Sequence, residues 1–140
     1  MAIVDTLESC LASPYLFSDP QAPGRVADLL AIADDRLDLV RAVLEQGTGE
    51  ADDVNQYCYE AMFACVRALV YAKGYREAGL RCLLIACRRF HVEGGSLDPA
   101  HLRDLERIQG RRTRPEEAYQ AAGSFLGRTR VILQTTPTTA

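Results

Sequence analysis

The chain has no tryptophan, two histidines and a single lysine among sixteen cationic side chains. No apolar run approaches ~18 residues, so no helix is expected to span a membrane. There is no GxxxxGK[ST] loop and no GxGxxG after a strand, which removes the common phosphate-cradling motifs. Ser9, Ser13, Ser18, Ser96 and Ser124 stand in no nucleophile motif. The cysteines (Cys10, Cys58, Cys65, Cys82 and Cys87) form no Cys-x-x-Cys pair, and neither His91 nor His101 has metal-ligand spacing. No metal and no other cofactor is therefore expected. An odd set of cysteines, mostly on apolar helix faces, reads as buried free thiol, with Cys82 beside Arg81 the one candidate for a reactive one. His91 reads as structural and His101 as a surface or capping residue. The segment Met1 to Asp5 lacks the basic start and long apolar stretch of a secretory signal. With the unpaired thiols, this gives a cytoplasmic expectation.

What is present fits one domain. At 140 residues the chain can bury a core of its own, and 48% hydrophobic with 25% charged residues is ordinary for a globular protein. The charge is uneven. Residues 1–72 carry four Arg against twelve Asp and Glu, whereas residues 73–140 carry twelve cations against seven acids. Opposed acidic and basic surfaces promote self-association or steer an anionic ligand. The overall balance of −3 argues against a nonspecific duplex-DNA binder.

Hydrophobic spacing predicts helix after helix and no period-two strand. Residues 1–22 form an arm: an amphipathic segment from Ile3 to Ala12, then a loop with Pro14 and Pro20, pinned by Leu16 and Phe17. Four main helices follow. The first runs from about Pro23-Gly24 to Gln46-Gly47. The second is capped by Asp52 or Asp53 and closed by Lys73-Gly74, and the third spans Glu77 to His91. A shorter helix starts at Asp98-Pro99. The last starts at Thr113, with Thr113 and Glu116 spaced as a capping box and Pro115 in the first turn. Short connections imply antiparallel neighbours. The expected fold is all-α, an up-and-down four-helix bundle over 23–135 with an extra N-terminal helix and a short helix before the last long one. Residues 136–140 are expected to be a disordered tail.

One cluster carries chemistry. On a helix, Arg103, Arg107, Arg111 and Arg114 recur at three- and four-residue steps and share a face, with Arg112 beside them. The row ends where the last helix begins. Guanidinium forks and the orphan N–H groups of a helix N-terminus both favour anions, so Arg107, Arg111, Arg112 and Arg114 are the candidate ligand-binding residues. The same residues can instead form a solvated face balanced by Asp104 and Glu106, with Arg114 paired to Glu117. Arg76 and Arg81 could join such a cleft, although nothing local requires it.

Residues 57–76 (YCYEAMFACVRALVYAKGYR) and 112–119 (RTRPEEAY) resemble the HEPN superfamily, the higher-eukaryote and prokaryote nucleotide-binding domain. The first segment is similar to the family's second helix. The second falls where the family has an arginine, a polar residue and then a histidine or tyrosine at the start of its last helix. The resemblance implies a homodimeric bundle whose two arginine motifs meet in a cleft. Active members are metal-independent ribonucleases, often toxins of toxin–antitoxin pairs; others bind nucleotides or proteins, commonly a nucleotidyltransferase. Arg114 then takes the signature arginine's place and Tyr119 the histidine's, making them the candidate catalytic pair.

Two departures weaken catalysis. Tyrosine ordinarily ionises near 10, too high for a general base at neutral pH, whereas imidazole titrates near 6.5. Pro115 stands where a polar residue is usual and removes an N–H. Glu116 and Glu117 add negative charge where a phosphate would approach. The favoured reading is a degenerate site on a homodimer that binds a nucleotide, RNA, or a partner such as a nucleotidyltransferase or antitoxin. The alternatives are a metal-independent endoribonuclease and a helical adapter with no nucleic-acid role.

Overall fold

The computed structural model describes residues 4–47, 50–110 and 113–135. Among these are six α-helices: α1 (Leu7–Leu11), α2 (Val26–Gln46), α3 (Ala51–Tyr71), α4 (Leu80–Cys87), α5 (Pro99–Gln109) and α6 (Pro115–Thr135). A two-stranded antiparallel sheet joins β1 (Leu16–Ser18) to β2 (Tyr75–Glu77), with Leu16 opposite Glu77 and Ser18 opposite Tyr75. The all-α bundle expected from the sequence is the fold. Arg111, Arg112 and the expected 136–140 tail lie outside the described residues.

The core is built around α3. Thirteen of its 21 residues are buried, so it is apolar on nearly every side, as a central helix must be. It packs against α2, α4, α5 and α6. Met62, Val66 and Leu69 of α3 and Phe125 of α6 are wholly enclosed. Each such side chain stabilises the fold by roughly 1.5–3 kcal/mol through loss of apolar surface to water. At the periphery an ion pair from Arg130 to Asp34 links α6 to α2. Helix α2 stops at Gly47, whose φ of 66° is the left-handed conformation that ends helices, and its N–H donates to Val43 O at 2.9 Å.

Several expectations are corrected. The helix expected over Glu77 to His91 starts three residues late, because Tyr75–Glu77 pairs with the arm as β2. Gly74, at φ 87°, makes the turn that frees this segment from α3, and its carbonyl accepts Asp19 N–H at 2.8 Å. After Cys87 the chain widens into one π-turn, Arg88–Val92, before the glycine loop. Asp52 and Asp53 lie inside the first turn of α3 rather than capping it; Glu50 takes the cap position without a side-chain bond. Thr113 does not form the expected capping box: its buried hydroxyl makes no hydrogen bond. The short helix α5 is an integral part of the bundle, since Leu102, Leu105 and Ile108 are buried and it packs on both α3 and α6.

The cysteine expectation is also corrected. Cys58, Cys65 and Cys87 are buried free thiols, but Cys10 and Cys82 form a disulfide with Cα atoms 5.7 Å apart. Cys82 is therefore no reactive thiol. The cytoplasmic expectation loses the support drawn from unpaired cysteines, because such bridges persist mainly in oxidising compartments. The bridge staples α1 to α4. Arg81 Nε donates to Val4 O at 2.8 Å and Arg89 pairs with Glu8 at 3.1 Å on the same seam. Leu16 pins the arm as expected, whereas Phe17 faces outward. No helix among the described residues is long and apolar enough to cross a membrane.

Candidate functional site

The junction between α5 and α6 is held from below by Asn55, an almost fully buried residue near the start of α3. Its amide donates to Thr113 O at 3.3 Å and so ties the junction to the central helix. The other amide atom, Asn55 Oδ1, has no hydrogen-bond partner in the protein, and neither has Thr113 Oγ1. A buried polar atom left unpaired costs on the order of 1–3 kcal/mol, so the junction is not optimised for stability alone.

Above this anchor Arg103, Arg107 and Arg114 are exposed. Arg114 sits immediately before α6, its side chain 81% exposed, and its carbonyl accepts Ala118 N–H at 2.9 Å. Its guanidinium holds Glu117 Oε1 at 3.2 Å, the local pairing that competes with an anion. Arg107 lies 3.9 Å from Asp104, with its side chain about half exposed. Arg103 is exposed, and Glu106 is turned away to Arg88 at 3.0 Å. The Thr113 hydroxyl, the side-chain acceptor placed by sequence to cap the first turn of α6, makes no hydrogen bond. The N–H groups of Glu116 and Glu117 precede the first intrahelical bond, so orphan donors lie beside Arg114.

Tyr119 is half-buried against the core one turn further on. The catalytic pair expected from the sequence thus lies on one helix end, with Arg114 in solvent and Tyr119 packed inward. His91 is structural, as expected: it is buried, and its Nε2–H donates to Leu69 O at 3.0 Å. His101 stacks on Phe125 with ring centroids 5.3 Å apart.

A second constellation is absent from the sequence reading. Arg67 and Tyr71, one turn apart on α3, both reach Glu77 of β2. Arg67 Nε donates to Glu77 Oε2 at 3.0 Å and the Tyr71 hydroxyl donates to Glu77 Oε1. The Arg67 guanidinium also lies over the Phe63 ring, 5.0 Å from its centroid. Burial first, then the Glu77 carboxylate beside it, push the Tyr71 hydroxyl up to about 12. This trio forms the floor of a cleft of about 650 Å³ between α2, α3, β2 and the start of α4. One signal was available: Arg67 and Tyr71 are the polar interruptions, four residues apart, in an otherwise apolar stretch.

Among the described residues no cluster of three or more His, Cys, Asp or Glu side chains could hold a metal ion. Comparison with family models, with curated proteins and with solved structures finds no match for this chain.

Proposed function

We propose that the chain is a HEPN-like binding module. In this reading two copies pair so that their α5–α6 junctions bound one cleft, which takes a nucleotide, an RNA segment or an acidic partner surface. The observation that carries the reading is Arg114, exposed in front of a 21-residue helix, with the Thr113 hydroxyl beside it making no hydrogen bond. Helix N-termini favour anions through their free N–H groups and dipole, and a guanidinium beside them adds a bidentate fork. Breaking the Arg114–Glu117 pair opposes this only weakly, because exposed ion pairs contribute about 0–1 kcal/mol.

Binding is favoured over catalysis by the placement of Tyr119. A half-buried phenol packed on the core is not positioned as a freely exchanging base, and Glu117 occupies Arg114. The test is fluorescence anisotropy of a short single-stranded RNA against the full chain, across a salt series. Wild type is expected to bind with an affinity that falls as salt rises, and Arg114→Ala to bind about tenfold or more weakly. The same RNA is expected to stay intact without added metal. Cleavage abolished by Arg114→Ala would favour the endoribonuclease reading, and no binding at low salt would leave the adapter.

A further inference from the structure

We propose that the cleft between α2, α3, β2 and α4 is a separate site for a small carboxylic acid with an apolar body. Its volume of about 650 Å³ lies within the usual ~300–1,000 Å³ of small-molecule sites. Its two halves differ in chemistry. Leu29, Ile32 and Leu80 make an apolar wall, with Ile32 41% and Leu80 51% exposed. Arg25, Arg67 and Arg76 make the other side.

The charges decide what the polar half can take. Glu77 is neutralised in place, since one oxygen accepts Arg67 and the other the Tyr71 hydroxyl. Arg25 is exposed and has no ion-pair partner among the described residues. Arg76 is ion-paired to Asp19 at 3.9 Å, a contact too long for a hydrogen bond. Asp28 is the remaining acid of the lining. Three guanidinium groups against Asp28, Glu77 and the Asp19 partner of Arg76 balance in formal charge, and Arg25 is the group left to meet an anion.

The start of α4 adds a partial positive charge. Gly79 caps the helix without a side-chain bond, and the first backbone bond is Leu83 N–H to Gly79 O at 3.2 Å. The N–H groups of Leu80 and Arg81 precede that bond and have no intrahelical acceptor. One guanidinium with no ion-pair partner among the described residues, beside a helix end carrying roughly half a positive charge, matches a monoanion better than a dianionic phosphate ester. A carboxylate also fits the guanidinium fork, and the apolar wall requires a hydrophobic body beside it.

The test is an NMR titration of the full isotope-labelled chain with benzoate, acetate and phenyl phosphate. Benzoate is expected to give saturable shifts at the Gly79, Leu80 and Arg81 amides and at Arg25 Nε–H. Arg25→Ala is expected to weaken benzoate about tenfold, as loss of a hydrogen bond to a charged group does. Leu80→Gln should weaken benzoate and leave acetate unchanged. Both side chains are exposed, and unchanged melting curves check that the variants fold. The proposal is overturned if those amides do not respond, if Arg25→Ala binds benzoate like wild type, or if acetate binds as tightly, meaning an adventitious ion only. Tighter binding of phenyl phosphate would overturn the choice of a carboxylate. RNA binding through Arg114 is expected to be unchanged in Arg25→Ala, so failure at one site is distinguishable from failure at the other.

Discussion

Tyr71 donates its hydroxyl hydrogen to Glu77, and this bond fastens the C-terminal end of the central helix to the β2 strand that pairs with the arm. The Glu77 side chain is only 8% exposed, so its two partners, Tyr71 and Arg67, stand in for water.

Tyr71→Phe is expected to cost about 1 kcal/mol at neutral pH, measured by urea unfolding. The pH dependence is more specific. The hydroxyl ionises near 10 in an unfolded chain but at about 12 when folded, so the folded state keeps its proton longer. The stabilisation is complete below pH 10 and is lost as pH rises from about 10 to 12. Wild type should therefore lose stability over that window more steeply than Tyr71→Phe, and parallel curves would contradict the assignment.

The Cys10–Cys82 bridge closes a loop over a sequence separation of 72 residues. Removing it by the double change Cys10→Ser and Cys82→Ser should destabilise the chain by about 2–4 kcal/mol, seen as a lower urea midpoint. Thiol counting checks the pairing itself. Unfolded without reductant, the protein should show three reactive thiols, and unfolded with reductant, five. Burial pushes Cys58, Cys65 and Cys87 each up to about 12, so the folded protein should react slowly at neutral pH.

His91 predicts an acid-side dependence. Burial holds its pKa below the ordinary value; the Leu69 carbonyl opposes this less strongly, and Lys73 adds to the lowering. The unfolded chain then binds a proton that the folded chain refuses. Stability from this group is present above about pH 6.5 and is lost as pH falls through the lowered folded value. Melting temperatures between pH 7.5 and 5 should fall more in wild type than in His91→Gln, which loses packing at both values. Equal slopes would contradict it.

How far the sequence could be read follows from what each feature depends on. Periodicity locates α2, α3 and α6 because each repeats an apolar face for 21 residues, and Gly47 supplies a local stop. The strand Tyr75–Glu77 is too short to show a period and is extended only because Leu16–Ser18 lies opposite. The disulfide was illegible for the same reason: Cys10 and Cys82 meet only after α1 has folded back onto α4. The arginine row was legible as a helical spacing, but the pairing of Arg114 with Glu117 in preference to a distant acid is a matter of side-chain geometry. The Arg67–Tyr71–Glu77 floor draws on α3 and β2, and its third member lay within an expected helix.

The proposed function requires two copies to bring their α6 starting turns together. A spin label on Glu116→Cys, an exposed position that preserves Arg114, measures this directly, because the three free native thiols are buried. The account predicts one short, narrow distance between the two subunits' labels, lengthened or broadened when RNA enters the cleft. Absence of dipolar coupling, or a long and broad distribution, would contradict it.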